Sequence, residues 1–387
     1  MSKQLRIWFF ALLGTLLTST SLLAEGVITM TTSKAVGDTV ALYIQAKGNV
    51  TIEGAQETGQ TNEDGQKYYT IENQTITIRG DVTKLNCSDN RLTSLDVSKN
   101  TALRWLNCSY NPLTSLDLSN NTALTKLGCS NNQLTSLNVS KNTALTGLDC
   151  SDNQLTSLDL SQNTALIVLC CFNNQLTSLD VSKSTALKML SCHNNQLTSL
   201  DVSKNTALTK LNCSFNKLTS LDLPKNTALT TLYCDRNQLT RLDVSKNAAL
   251  TELGCSENQL TSLDVSKNTA LTTLFCFENK LTSLDVSKNI ALTELYCSNN
   301  QLTSLNVSRC ARLNTLYCDS NRINGKAMNK LVNSLPNRRR KSSGAILLVD
   351  NSPEKRDKNR CSPADVTTAR RKNWEVLKLE SSKIRAF

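Results

Sequence analysis

A cysteine returns every 21 residues along this chain, at positions 87, 108, 129, 150, 171, 192, 213, 234, 255, 276, 297 and 318, without a slip. An asparagine stands three residues after each, from Asn90 to Asn321. From Leu103 to Leu113 the unit reads LxxLxCxxNxL, and TSLDLSNNTA then leads into the next copy. Twelve copies in phase exclude an ordinary globular layout. Each copy can bury its apolar side only against its neighbours, so the copies must stack and both ends need a cap.

Around each cysteine, apolar residues such as Leu106 and Cys108 alternate with polar ones, the pattern of a half-buried strand. Stacked copies place those strands in a parallel sheet about 4.8 Å apart, on the order of 55 Å long for twelve. The asparagine column has a structural role: the chain turns inward there, and a carboxamide supplies both donor and acceptor to bridge adjacent coils. In the return half, Leu113, Leu116, Leu118 and Asn121 copy the spacing of the cysteine half. TSLDVSKNTA holds too few helix formers, so the convex side is expected to be extended.

Fifteen cysteines in an exported chain would ordinarily be oxidised. Twelve of them share one inward column, where a thiol packs as a small apolar group. Their Cβ atoms, about 4.8 Å apart on neighbouring strands, exceed the separation of about 3.8 Å that a disulfide takes. A reduced ladder is expected, and no CxxC pair suggests zinc. Cys170 falls on the outward side of its strand and reads as a reactive thiol, while Cys310 and Cys361 leave a bridge between them open.

The ends differ in texture. Lys3 and Arg6 precede an apolar run from Ile7 to Leu17, and a polar stretch leads to Ala24, the layout of a cleaved export signal over residues 1–24. The run is too short to span a bilayer, and no later segment is expected to cross one. Residues 25–81 alternate as short strands punctuated by Gly48, Gly54, Gly59 and Gly65, an N-terminal β cap. The repeats occupy 82–323, and 324–387 form a C-terminal α/β cap. Within that cap, Ala327, Met328, Leu331, Val332 and Leu335 share a helical face before Pro336. Ala345 to Val349 reads as a strand, Ser362 and Pro363 start a helix, and Trp374 to Leu379 reads as the final strand. From Asn337 onward, fourteen Lys or Arg face six Asp or Glu, a net of +8 out of +11 for the chain. The run Arg338-Arg339-Arg340-Lys341 reads as an exposed loop, and this basic tail could meet an acidic polysaccharide.

At LTSLDVSKNTALTxLxC the chain resembles the bacterial 21-residue leucine-rich-repeat proteins of the internalin J type, with cysteine in the third apolar slot. The segments ITIRGDVTKLNC and SPADVTTARRKNWEVLKL resemble caps of that group. The resemblance spans roughly Gly26 to Leu379. It implies a β-rich leucine-rich-repeat solenoid, a right-handed superhelix with a parallel sheet on its concave face. By function it implies a secreted or surface-exposed adhesion protein tied to host attachment or biofilm, with a host or bacterial surface protein or glycan as partner. A periplasmic or matrix-associated carrier without a discrete ligand site is the rival reading. Nucleic acid is not an expected partner.

Because the copies are internal duplicates, their differences locate a candidate ligand face. The return half hardly changes, whereas outward positions beside the cysteine collect Trp105, Tyr110, Phe172, His193, Phe215, Tyr233, Phe275, Phe277, Tyr296 and Tyr317. Exposed aromatics on a concave sheet suit protein or glycan contact, and Phe275, Phe277, Tyr296 and Tyr317 are expected to cluster. Columns of Asp from Asp96 to Asp285 and of Lys from Lys99 to Lys288 read as a solvated, charge-paired face rather than a calcium ladder. Catalysis, a cofactor and a resident metal are not expected: His193 is the only histidine, and GxSxG, HExxH and phosphate-loop motifs are absent.

Overall fold

Each coil opens with three residues of strand whose middle residue is a leucine pointing inward. In the computed structural model, which describes residues 26–339, 341–350, 357–380 and 383–386, these strands run from β7 (Trp105–Asn107) to β17 (Thr315–Tyr317), one every 21 residues. The export segment read at 1–24 lies outside the described residues. Strands pair in parallel and in register, Leu106 beside Leu127 and Leu274 beside Leu295. Leu103, Leu106, Cys108 and Leu113 have no exposed surface, and their equivalents are buried in every coil.

The cysteine sits just past the strand. Its amide extends the ladder, Cys108 N donating to Gly128 O at 2.8 Å, and its thiol leans on the same carbonyl at 3.6 Å. All fifteen cysteines are free. Burial pushes the ladder thiols upward, to about 12 at Cys108, Cys192 and Cys276.

Both asparagine columns stitch one coil to the next. On the strand side, Asn216 Nδ2 donates to Cys192 O, Cys213 O and Ser214 O at 3.1 Å each, while its Oδ1 accepts Leu197 N at 2.9 Å. On the return side, Asn226 Nδ2 donates to Val202 O at 2.9 Å and Asn205 O at 3.0 Å, but its Oδ1 meets no donor. The convex half consists of turns and extended segments.

At the N-terminal end, β1 (Val27–Thr32), β2 (Thr39–Glu53), β3 (Ala55–Thr61), β4 (Lys67–Ile71), β5 (Thr75–Asn86) and β6 (Leu92–Asp96) close the stack. β5 joins the two parts: it pairs antiparallel with β1 and β2, then its last residues pair in parallel with β7, Leu85 beside Leu106. The separate strands expected on either side of Gly48 are instead one fifteen-residue strand. Its register against β5 shifts between Lys47 and Thr51. Gly48, at φ 92°, supplies the left-handed residue of that irregularity.

At the other end, β18 (Gly344–Asp350) and β19 (Trp374–Glu380) continue the parallel sheet beyond β17, with α1 (Gly325–Ser334) and α2 (Pro363–Arg371) on the return side. Ser362 and Asp365 form a reciprocal capping box that starts α2. β19 is not the last strand: β20 (Lys383–Ala386) turns back and pairs with it antiparallel. Arg338 also departs from the sequence reading, since it is buried rather than in an exposed loop. Its guanidinium donates to Leu313 O at 3.0 Å and lies over the Trp374 ring, 5.9 Å from the centroid. Arg340 lies outside the described residues.

The three cysteines outside the ladder differ from one another. Cys170 is half-buried, and burial pushes its thiol to about 11, the reverse of an activated nucleophile. Cys310 is buried in the return-side asparagine column with its thiol on Val286 O, while Cys361 lies in the crevice between α1 and α2. The bridge between them is not formed.

Candidate functional site

Four outward columns cover the concave face: three and one residues before each cysteine, and one and two residues after it. The second residue after the cysteine adopts a left-handed conformation in every coil, from Asp89 to Ser320. Asn and Asp suit that backbone, yet Tyr110 (φ 57°) and Phe215 (φ 54°) occupy it too. A bulky residue there costs about 1–2 kcal/mol. These two are also among the most exposed rings of the chain, at 60% and 44%. A strained, exposed aromatic contributes nothing to the coil that Asn would not.

The predicted rings fall into separate groups. Trp105, braced edge-on by Tyr43 at 6.5 Å, and Tyr110 flank a depression of about 680 Å³. Its floor is Gly128 and Gly147, and its far wall is Ile167 and Val168, each about a third exposed. The aromatic count missed this floor and wall. The signal was present as two glycines in adjoining outward columns followed by consecutive apolar residues.

In mid-array Phe172 and His193 stack at 4.4 Å with planes 11° apart. His193 Nδ1 lies 3.0 Å from Ser191 Oγ, and burial lowers the pKa of the imidazole. Beyond it, the Arg236 guanidinium lies 4.6 Å over the Phe215 ring and is held by Glu257 at 2.6 Å.

The last five rungs carry the longest aromatic run. Phe275 stacks on Tyr296 at 4.8 Å, and Tyr317 meets Tyr296 edge-on at 5.1 Å. Phe277 lies across Cys276 on the rung of Phe275. Tyr233 is in the same column two rungs earlier, and its ring fills the space above Gly254, where a Cβ would come within 2.6 Å of it. Its hydroxyl donates to Glu252, as that of Tyr296 does to Glu294 at 3.2 Å. Burial and these carboxylates push both phenols up, Tyr296 to about 12. Under this strip, Asp235 accepts Ser256 N at 2.8 Å and Ser214 Oγ at 3.3 Å, and burial raises its pKa.

On the convex face, Asp264 Oδ1 accepts Ser266 N at 2.8 Å, and the other aspartates of the column do the same two residues on, except Asp222, where Pro224 offers no N–H. Asn138 and Asn306 stand in this column and make the same bond. The column therefore requires an acceptor that closes a turn, not a charge. None of the ion pairs among the described residues joins the two columns directly; the Ser266 hydrogen bonds and, more weakly, the Lys267 charge hold the Asp264 carboxyl below its usual value.

Fold and repeat together define a leucine-rich-repeat solenoid built on 21-residue coils with a cysteine ladder. The family model for Leucine Rich repeats (2 copies) matches residues 164–205 and 206–247. Among solved structures, the chain is similar to the functional domain of InlJ from Listeria monocytogenes, which includes a cysteine ladder. The identity is 40% over 69% of this chain and 60% of that chain, with a TM-score of 0.63. The chain thus spans 60% of that domain's length. An internalin, inlF, from the same organism aligns at 20% identity over 76% of this chain and 86% of its own, TM-score 0.68. YopM from Yersinia enterocolitica aligns at 22% over 78% and 64%, TM-score 0.51. These last two show the fold alone. A search of curated proteins finds no match. No helix among the described residues is long and apolar enough to cross a membrane.

Proposed function

We propose that this chain is an exported, surface-associated binding protein, an adhesin for host attachment or biofilm, whose concave face engages a surface protein or glycan. The carrying observation is the aromatic strip of Tyr233, Phe275, Tyr296 and Tyr317. Rings aligned in one column present a large rigid apolar surface that loses little conformational entropy on binding. The convex half spends its polar groups on its own turns. The likeness to InlJ supports a surface role, and the reading is of binding rather than catalysis. The basic tail is a second contact for acidic polysaccharide.

The test is protease treatment of intact cells with mass spectrometry of the released peptides. Repeat peptides released without lysis are expected. Serine at Phe275, Phe277, Tyr296 and Tyr317 together should then abolish attachment while leaving the fold intact. Peptides seen only after lysis would overturn the surface role in favour of a periplasmic carrier.

A further inference from the structure

The chain is basic overall, at +11, yet its aromatic strip is acidic. Glu252 and Glu294 flank the strip on one side, in register with Thr273 between them, and Glu257 and Glu278 flank it on the other. Arg236 is the only cation in the four outward columns of those last five rungs. The first seven rungs carry Lys84, Lys126 and Lys210 against Asp89, Asp149 and Asp152 in the same columns, with no such excess. The acidity is local and coincides with the rings.

Resting on the binding role above, we propose that this strip recognises an extended polypeptide segment bearing arginine or lysine, its cations seated over the rings and paired with the flanking glutamates. The molecule contains its own example of the contact. Arg236, at the edge of the strip, lies over Phe215 at 4.6 Å and reaches Glu257 at 2.6 Å, so one guanidinium takes a ring face and a carboxylate of this lattice together. The planar guanidinium suits stacking better than an ammonium, so arginine is the preferred cation. Five rungs span about 20 Å, the reach of about six extended residues. An acidic or neutral segment would bury these carboxylates without a neutralising cation, Glu257 with its Arg236 excepted.

The probe is a labelled peptide of about twelve residues alternating glycine and arginine, with glutamine replacing arginine in the control; binding to the full chain is read by fluorescence anisotropy. The arginine peptide should bind and the glutamine peptide should not, with affinity falling as salt rises. Glu252→Gln with Glu294→Gln should weaken it about tenfold, and so should Phe275→Ser with Tyr296→Ser. Asp264→Asn with Asp285→Asn on the convex face should change nothing. Equal loss from the convex pair, equal binding of both peptides, or no binding would overturn the proposal. If attachment still depends on the aromatics in any of those cases, the binding role stands and only the cationic partner fails.

Discussion

The two halves of each coil carry one apolar skeleton and put it to opposite uses. In the strand half the third slot is cysteine; in the return half it is valine or leucine, as at Val202 and Leu223. The strand-side asparagine uses both ends of its carboxamide, whereas the return-side one uses only its nitrogen. The strand half varies outward from coil to coil, while the return half is nearly invariant because its Asp and Asn side chains are committed to backbone groups. Surface freedom belongs to the half whose outward residues the backbone does not require.

Alkali should separate the halves most strongly, because the buried thiols, Cys310 in the return column excepted, lie in the strand half. Its thiols are raised by burial, so their stabilisation is fully present below the ordinary thiol value and is lost as pH climbs toward the folded values. Each unfolded thiol that ionises in that window removes about 1.4 kcal/mol per pH unit. Urea unfolding under reductant at about pH 7 and about pH 10 should show a steep loss of midpoint, and an unchanged midpoint would refute buried, protonated thiols.

The asparagine columns give the next effect. Asn216→Ala strands the Leu197 amide and removes one donor from each of three carbonyls that keep another, and should cost about 3 kcal/mol. Asn226→Ala removes two donated bonds together with an oxygen that had no donor, and should cost about 1–2 kcal/mol. Thermal melts rank the two, and equal losses would erase the distinction between the columns. The smallest effect is Asp264→Asn, expected within about 0.5 kcal/mol because Asn138 and Asn306 already close the same turn. A larger loss would restore a role for charge on the convex face.

Much of this was legible in the sequence for one reason: inward positions are set by contact with an identical neighbour, so the period prints the sheet, its register and the bridging asparagines directly. The caps have no such copy. Gly48 resembles a turn and so hides the continuity of β2, and β20 is hidden because the alternation of Lys383 to Ala386 covers only four residues. Arg338 was placed in solvent by its charged neighbours, while Trp374, distant in sequence, covers it. In the concave face the rings stood out as departures from the repeat. The floor of Gly128 and Gly147 did not, because a glycine marks a site by what it leaves out. The glutamates beside the strip became meaningful only once register set them next to rings.

The stitching between coils repeats with constant sequence offsets, so a whole coil is also a unit of inheritance. Recombination between copies can insert or delete one coil without creating a foreign junction, and each such event between the glycine-floored depression and the acidic aromatic strip changes their separation by about 4.8 Å. Lineages carrying different coil numbers would then differ in the gauge between two contact points while keeping the chemistry of each, which makes array length a heritable means of adjusting which partner fits.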